Sequence, residues 1–595
     1  MQFTPPSVSV PPWLPLQQLV VVAVVVASLA VVRYVDRPGG RWGRRLRSRL
    51  LAGVPWGTLV VCAVVLAFYL FVQGGFDYWY SPVVIPYRAW SYFYPLGVLT
   101  AGLAHSGPGH LLGNLVGTLV FAPIVEYAWG HFPTRRGSSS FSSWRTNPYV
   151  RAFVLFPAVV LVVSLLLSAF AIGPVIGFSG VVFAFAGFAL VRYPLTTILA
   201  LVAGRVLGLL RAALQTPTLE AKAQPTFSTP WWAEVAIQGH ALGLFVGVVL
   251  GVWLLRRRGD ALPSATRTWA GVLLFAVSQS LWAVYWFRGG ETFVLFRALG
   301  VVLVFVLATL VALTVAASDR PLVARAVSDG GDADGGDSDR DDGGDSDRDD
   351  GGTPGIDTGL LALPRWEWGI VLMILSAAAL AGPAVPVNLL TASDDALPGD
   401  PVQVRDYEMT YAEDVTDGMV AAVDVSAFGE TTAVNTSGVI VRNDDRGIWT
   451  TAVSKGRLAF AGRTVVRVGG IGWRDAVVVE RTGWTVTGGG VAYRVNATHD
   501  GETRTLYRSP PAQASPIVGG RNVSIDVRST DFLVNVSRDN ESVRAPIPPM
   551  NESVTLDGVR LERADRGLVA HYGETRVLVA KPETYRGQQT EEQRD

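Results

Sequence analysis

Long apolar runs are the feature that most limits what this chain can fold into. Ten segments are mainly apolar, and several exceed the roughly 18 residues that cross a hydrocarbon layer of about 30 Å. They lie at 13–35, 51–74, 109–130, 152–172, 177–194, 195–215, 232–255, 268–287, 291–317 and 366–388. With 49% hydrophobic residues and a mean hydropathy of +0.32, the 595-residue chain has the composition of an α-helical polytopic membrane protein.

Arginine clusters between these runs predict the orientation in the membrane. If the N-terminus is outside, three clusters face the cytoplasm, as the positive-inside rule requires. They are Arg37, Arg41, Arg44, Arg45, Arg47 and Arg49; then Arg135, Arg136, Arg145 and Arg151; then Arg256, Arg257 and Arg258. We therefore expect a multi-pass protein of the cell membrane, and ten spans place residues 389–595 outside the cytoplasm.

The composition changes after residue 388. Short β-branched runs such as 464–468 and 476–479, separated by glycine-rich turns such as 488–490, predict one or two β-sandwich-like units. All six Asn-X-Ser/Thr sequons of the chain lie in this part, at Asn435, Asn496, Asn522, Asn535, Asn540 and Asn551. Their concentration there predicts an exterior, glycosylated, β-rich domain.

An acidic, glycine-rich segment separates the last apolar run from the others. The octapeptide Gly-Gly-Asp-Ser-Asp-Arg-Asp-Asp occurs twice, at 335–342 and 343–350. Its like charges and glycines predict a flexible solvated linker over residues 328–365. A calcium loop is the alternative, although neither the closing glutamate nor flanking helices are evident.

Two polar residues inside apolar runs carry the chemistry. Ser179 stands in Gly177-Phe178-Ser179-Gly180, and His240 lies about eight residues into the run at 232–255. Polar groups in the bilayer are costly and usually functional, and a serine with a histidine can act as a nucleophile with its base. The alternatives are a serine bonded to its own helix backbone and a structural histidine with a hydrogen-bond partner.

Glycines follow His240 at four-residue spacing, at Gly243, Gly247 and Gly251. A helix face made of glycine lets a neighbouring helix approach closely, and the helix of Ser179 could be that neighbour through Gly187. Packing alone is the alternative interpretation.

His110 and Asn114 are four residues apart and therefore share one helix face. Both can donate hydrogen bonds to a developing oxyanion, which acyl transfer requires. Interfacial polar residues are the alternative. A metal site that uses these histidines is weakly indicated, since no third ligand is evident and no His-Glu-x-x-His pattern occurs. Cys62 is the one cysteine, which excludes an intrachain disulfide and a multi-cysteine metal site.

Three motifs together resemble the rhomboid family of intramembrane serine proteases over about residues 51–256. They are Gly177-Phe178-Ser179-Gly180, His240-Ala241-Leu242-Gly243 through Gly247, and His110-Leu111-Leu112-Gly113-Asn114. The resemblance implies that Ser179 is the nucleophile and His240 its general base, without an aspartate. It also implies an oxyanion hole of His110, Asn114 and the Ser179 amide, supporting positions at His105 and Glu126, and an aromatic ring, Phe183, packed on the histidine.

The predicted organisation is then an extra N-terminal span and basic cytoplasmic loop at 1–50 and a rhomboid-like protease core at 51–256. Two additional spans at 257–327, the linker at 328–365, a last span at 366–388 and the β-rich domain at 389–595 follow. We expect cleavage of membrane-spanning protein substrates in the bilayer, with no cofactor, metal or nucleic acid. The rival functions are a pseudoprotease that binds without cutting, a transporter, and a sensor that uses its β-domain.

Overall fold

The computed structural model describes residues 15–36, 40–133, 137–218, 227–316, 365–389, 397–418, 426–427, 430–431, 434–539 and 541–586. The predicted linker at 328–365, apart from Arg365, and the sequon asparagine Asn540 lie outside these ranges. The first half of the described chain is helical. Its helices are Leu16–Asp36, Arg41–Arg49, Trp56–Ala67 with its continuation Phe68–Val72, Pro95–Thr100, Pro108–Trp129, Pro148–Val150 with Arg151–Leu155 and Phe156–Ala169, Ser179–Arg192, Pro194–Gln215, Ile237–Arg258, Ala265–Ser278, Arg297–Ala316, Arg365–Ala381 and Ala384–Leu389.

Seven helices within the described ranges are long and apolar enough to cross a membrane. They are Leu16–Val35, Pro108–Trp129, Pro148–Ala169, Pro194–Gln215, Ile237–Arg258, Arg297–Ala316 and Trp366–Leu389. Two shorter apolar helices, Trp56–Val72 and Ser179–Arg192, lie among them. The chain is therefore a multi-pass helical membrane protein, as its apolar runs predict.

Ser179–Arg192, the serine helix, lies at the centre of this bundle. Every residue from Val181 to Val191 is buried. Ile237–Arg258, the histidine helix, packs along it, and Pro108–Trp129, the donor helix, contacts it from another side. Fourteen residues of α-helix extend only about 21 Å, which is less than the hydrocarbon thickness. The serine helix by itself is therefore shorter than a full membrane span.

Arginines gather at the end of the bundle opposite Ser179. Arg258 donates to the carbonyl oxygens of Ala128 and Trp129, both at 2.6 Å, at the C-terminal end of the donor helix. Arg151 donates to the carbonyl oxygen of Gly130 at 3.0 and 3.2 Å. Guanidinium groups thus satisfy carbonyl groups that a helix end leaves without intrahelical partners.

The structure differs from the sequence-based span at 268–287. Ala265–Ser278 is a helix of 14 residues, and a β-hairpin of Tyr285–Gly289 and Thr292–Leu295 follows it. Ser280, with a φ of +58°, follows the end of the helix inside the predicted span. The turn of the hairpin contains Gly289, Gly290 and Glu291, all with positive φ, and lies just beyond that span. We call residues 285–295 the hairpin below.

The described residues from 397 onward are all-β apart from the helix Lys455–Ala461. Its first unit contains a four-stranded antiparallel sheet of Val402–Val404, Tyr407–Thr416, Asn435–Asn443 and Ile448–Ser454. This sheet packs against Arg463–Gly470, Trp473–Val486, Val491–His499 and Glu502–Arg508 across one hydrophobic core. Buried and less buried residues alternate from Arg463 to Val468, as a strand with one face in a core requires.

A second unit continues from the same long strand. Trp473–Val486 also pairs with Thr575–Pro582, which leads on to Gly567–Tyr572, Val559–Ala564 and Ser553–Leu556. A sheet of Ala512–Gln513, Asn522–Val527, Phe532–Arg538 and Glu541–Pro546 covers this half and encloses a separate core. The short strands Ser426–Ala427 and Glu430–Thr431 pair with each other. The predicted all-β, sandwich-like region is therefore confirmed.

Candidate active site

The structure brings Ser179 and His240 together. Oγ of Ser179 lies 3.0 Å from Nε2 of His240, within hydrogen-bond reach, although 61 positions separate the two residues. Ser179 is the first residue of the serine helix, so its backbone N–H has no partner within that helix. A nucleophile with an adjacent base and a free backbone donor is the constellation that acyl transfer needs.

Glycines allow the two helices to come this close. A Cβ at Gly243 would overlap the carbonyl oxygen of Gly180, and a Cβ at Gly247 would overlap that of Ala184. From the other helix, a Cβ at Gly187 would overlap the carbonyl oxygen of Leu244. The helix backbones are therefore in direct contact, which fixes the separation of the side chains that they carry.

Two side chains of the donor helix converge on the loop before Ser179. Gly177 has a φ of +115°, and a Cβ at this position would overlap the imidazole of His110 and lie 3.5 Å from Nδ2 of Asn114. Glycine is required here both for the backbone conformation and for this close approach. His110 and Asn114 thus lie against the backbone two residues before Ser179.

His105 orients the amide of Asn114. Its Nδ1 lies 3.0 Å from the carbonyl oxygen of Leu103, so Nδ1 carries the proton and donates there. Its Nε2 is then an acceptor, which lies 3.0 Å from the donor Nδ2 of Asn114. Ser106 contacts Nδ1 of His110 at 3.2 Å in a similar supporting position. Asn114 and His110 are therefore each oriented by a hydrogen bond to another polar side chain, His105 and Ser106 respectively.

Phe183 stacks on the imidazole of His240, with ring centroids 4.1 Å apart and an angle of 7° between the rings. The remaining ring nitrogen, Nδ1 of His240, is buried and has no hydrogen-bond partner among the described residues. The histidine is consequently positioned by its helix and by an aromatic face. The described part of the chain places no carboxylate on it.

A small cavity of about 40 Å³ opens beside the pair. Its lining includes Ser179, Gly180 and His240, and the hydroxyl-bearing residues Ser164 and Ser168 face it from the neighbouring helix Phe156–Ala169. The volume and the hydroxyl groups suit ordered water.

Glu126 lies away from this site, near the arginine-rich end of the bundle. It accepts hydrogen bonds from the backbone N–H groups of Gly57 and Thr58 at 2.7 and 2.8 Å and from the Thr58 hydroxyl at 2.7 Å. It also contacts Nε2 of His131 at 2.6 Å, and both side chains are fully buried. Glu126 therefore ties the donor helix to the start of Trp56–Ala67.

Sequence reasoning did not identify Gln73, although it supports the site. Its amide accepts from the backbone N–H of His105 at 2.8 Å and donates to the carbonyl oxygens of His105 and Val83 at 2.9 and 2.8 Å. The sequence shows only a single amide at the end of the apolar run 51–74, which does not reveal its partners. The structure shows that this amide is fully buried. His131, five residues after Glu126, was overlooked in the same way.

Comparison with known proteins agrees with the motifs. A family model described as the Rhomboid domain matches residues 92–257. The matched range contains the Ser179–His240 pair, the donor helix and the supporting residues His105 and Glu126. Neither the curated proteins nor the solved structures gave a match. The motif resemblance is confirmed, and residues 92–257 of the chain match the rhomboid domain.

Proposed function

We propose that the chain is an intramembrane serine endopeptidase. The observation that carries this proposal is the 3.0 Å contact between Oγ of Ser179 and Nε2 of His240 within a rhomboid domain. In the reaction, His240 takes the hydroxyl proton while Oγ attacks the peptide carbonyl carbon. The C–N bond then breaks, His240 returns the proton to the leaving amine, and an acyl-enzyme remains.

Three donors are available for the oxyanion of the tetrahedral intermediate. They are the ring of His110, the amide of Asn114 and the backbone N–H of Ser179. Water that attacks the acyl-enzyme has a suitable reservoir in the cavity next to Ser164 and Ser168.

Membrane-spanning proteins are the proposed substrates. The serine helix is shorter than the bilayer, so its N-terminal Ser179 is reached from one side through the loop at 173–178. The arginine clusters support an assignment of that side to the exterior of the cell membrane. A substrate helix unwinds near this face so that its backbone reaches Oγ.

Cleavage of a model single-span protein by the wild type, Ser179→Ala and His240→Ala tests the proposal. We expect cleavage by the wild type alone, and equal cleavage by all three would refute the dyad. Labelling of Ser179 with a fluorophosphonate probe separates a protease from a non-cleaving family member. The label should appear on the wild type and disappear in His240→Ala.

A further inference from the structure

The β-rich domain is docked on the loop that precedes the donor helix. Trp90 of this loop is only 1% exposed because it lies within the hydrophobic core of the first β-unit. Nη1 of Arg474 donates to the carbonyl oxygen of Ser81 at 3.1 Å, and its guanidinium lies 3.4 Å from the centre of the Tyr78 ring. An aromatic anchor and a stacked arginine are features of a specific protein interface.

This loop also contacts the segment that leads to Ser179. Nη1 of Arg88 donates to the carbonyl oxygen of Pro174 at 3.2 Å, and the backbone N–H of Ala89 donates to that of Val175 at 3.2 Å. Trp90, which lies in the β-domain core, therefore directly follows Ala89, which is bonded to the segment before Ser179. We call residues 78–94 the first flank.

A second contact lies on the other side of the site, along the segment that leads to His240. Phe460 of the helix Lys455–Ala461 packs against Phe227, with ring centroids 6.3 Å apart. The backbone N–H of Gly456 donates to Glu291 of the hairpin at 3.2 Å. The hairpin in turn holds Trp232 through aromatic contacts with its strands. We call residues 227–236 together with the hairpin the second flank.

The last membrane segment, Trp366–Leu389, is hydrogen-bonded to segments next to both flanks. Nδ2 of Asn388 donates to the carbonyl oxygen of Ala171 at 3.0 Å, and the carbonyl oxygen of Asn388 accepts from the backbone N–H of Tyr92 at 2.9 Å. Gln238, two residues before His240, donates to the carbonyl oxygen of Leu380 at 2.9 Å. The helix that precedes the β-domain is thus bonded to the ends of the helices around the site.

We propose that the β-rich domain is a roof over the catalytic opening and selects substrates by size. Because it contacts both flanks, a polypeptide that enters on this side has to pass between them beneath the domain. The substrate class is then single-span proteins whose segment on this side is short or unfolded, while proteins with a folded domain next to the membrane are excluded. This inference rests on the proposed function for its meaning but concerns access rather than chemistry.

A capture experiment with the full-length chain tests the roof. The probes are two single-span proteins that are identical except on the β-domain side, where one carries a short Gly/Ser segment and the other a folded β-sandwich domain. Cross-linked capture by the Ser179→Ala chain measures entry without cleavage. We expect capture of the short probe to exceed that of the folded probe by about tenfold, equivalent to about 1.4 kcal/mol.

Variants that loosen the two flanks should remove this preference. Arg474→Ala combined with Phe460→Ala acts at both flanks, and Glu291→Ala combined with Phe460→Ala acts at the second flank alone. Each should bring the two captures to within about twofold of each other. Arg544→Ala is the matched control, because it removes an arginine paired with Asp526 at 3.2 Å inside the second β-unit. It should keep the wild-type preference.

Equal capture of both probes by the Ser179→Ala chain without flank substitutions would overturn the roof. An unchanged preference in both flank variants would also overturn it. If the flank variants captured both probes more strongly by the same factor, the β-domain would block entry without regard to size, which would also overturn the proposal. If the short probe were captured selectively but the wild-type chain did not cleave it, the proposed protease activity would be refuted and the roof would still be supported. Cleavage of both probes without selectivity would refute the roof and support the protease activity.

Discussion

Gly243 of the histidine helix lies directly against the carbonyl oxygen of Gly180 in the serine helix. This backbone contact, one residue after Ser179 and three residues after His240, sets the distance between Oγ and Nε2. The contact leaves no room for a methyl group, since backbone atoms on both sides cannot move independently of their helices. The geometry of the dyad is therefore a consequence of helix packing.

Gly243→Ala should separate the two helices and disrupt the dyad. Overpacking of this kind costs about 1–3 kcal/mol of the free energy of unfolding. We expect a lower thermal unfolding temperature in detergent and loss of fluorophosphonate labelling of Ser179. Gly208→Ala is the matched control, because nothing lies within 4 Å of a Cβ at that membrane-helix position. Full labelling of Gly243→Ala would contradict the packing argument.

Asn114→Ala should lower kcat by about a hundred- to a thousandfold with little change in KM, as for loss of an oxyanion donor. His105 acts through Asn114 and is a positioning residue. His105→Ala should therefore cost less, about tenfold in kcat, equivalent to about 1.4 kcal/mol. Cleavage kinetics of both variants and of the double variant check this order. If the two effects multiplied fully in the double variant, His105 would not act through Asn114.

Phe183→Leu should reduce kcat about fivefold. The stacked ring stabilises the imidazolium that forms when His240 takes the proton, a contribution of about 1 kcal/mol. Phe185→Leu on the same helix is the control, because Phe185 stacks on Phe156 rather than on the histidine. Equal activity of the two variants in a cleavage assay would show that the stack on His240 has no kinetic role.

Glu126→Ala should destabilise the fold rather than alter the chemistry. It leaves two backbone N–H groups, the Thr58 hydroxyl and His131 without their acceptor, and removing one partner from such a buried polar cluster costs about 3–5 kcal/mol. Thr58→Val removes a single hydrogen bond and should cost about 1 kcal/mol. Thermal unfolding in detergent measures both changes. Equal stability of Glu126→Ala and the wild type would contradict the structural role.

The proposed orientation predicts which residues an impermeant thiol reagent reaches in intact cells. In a Cys62→Ala background, Ser542→Cys in the second β-unit should be labelled from outside. Ser48→Cys, next to the N-terminal arginines, should be labelled only after lysis. Both side chains are exposed, so burial does not limit either reaction. The opposite pattern would place the β-domain in the cytoplasm.

The sequence alone was sufficient for the local features of this protein. Run length identified the membrane helices, four-residue glycine spacing marked the contact face of the histidine helix, and β-branched runs located the C-terminal strands. These signals depend on residues close in sequence, where periodicity and length have direct physical meaning. The helix predicted over 268–287 extends over Ala265–Ser278 instead, because Ser280 takes a positive φ and the residues from Tyr285 form a strand, which hydropathy does not detect.

The tertiary structure decided what depends on contacts between distant segments. The motif resemblance implied that Ser179 and His240 act as a pair, whereas the 3.0 Å distance between Oγ and Nε2 follows from the backbone contact of their helices. The separation of Glu126 from the dyad, the support of His105 by Gln73, and the insertion of Trp90 into the β-domain core leave no local pattern in the chain. Each follows from packing between segments far apart in sequence, which only the folded molecule specifies.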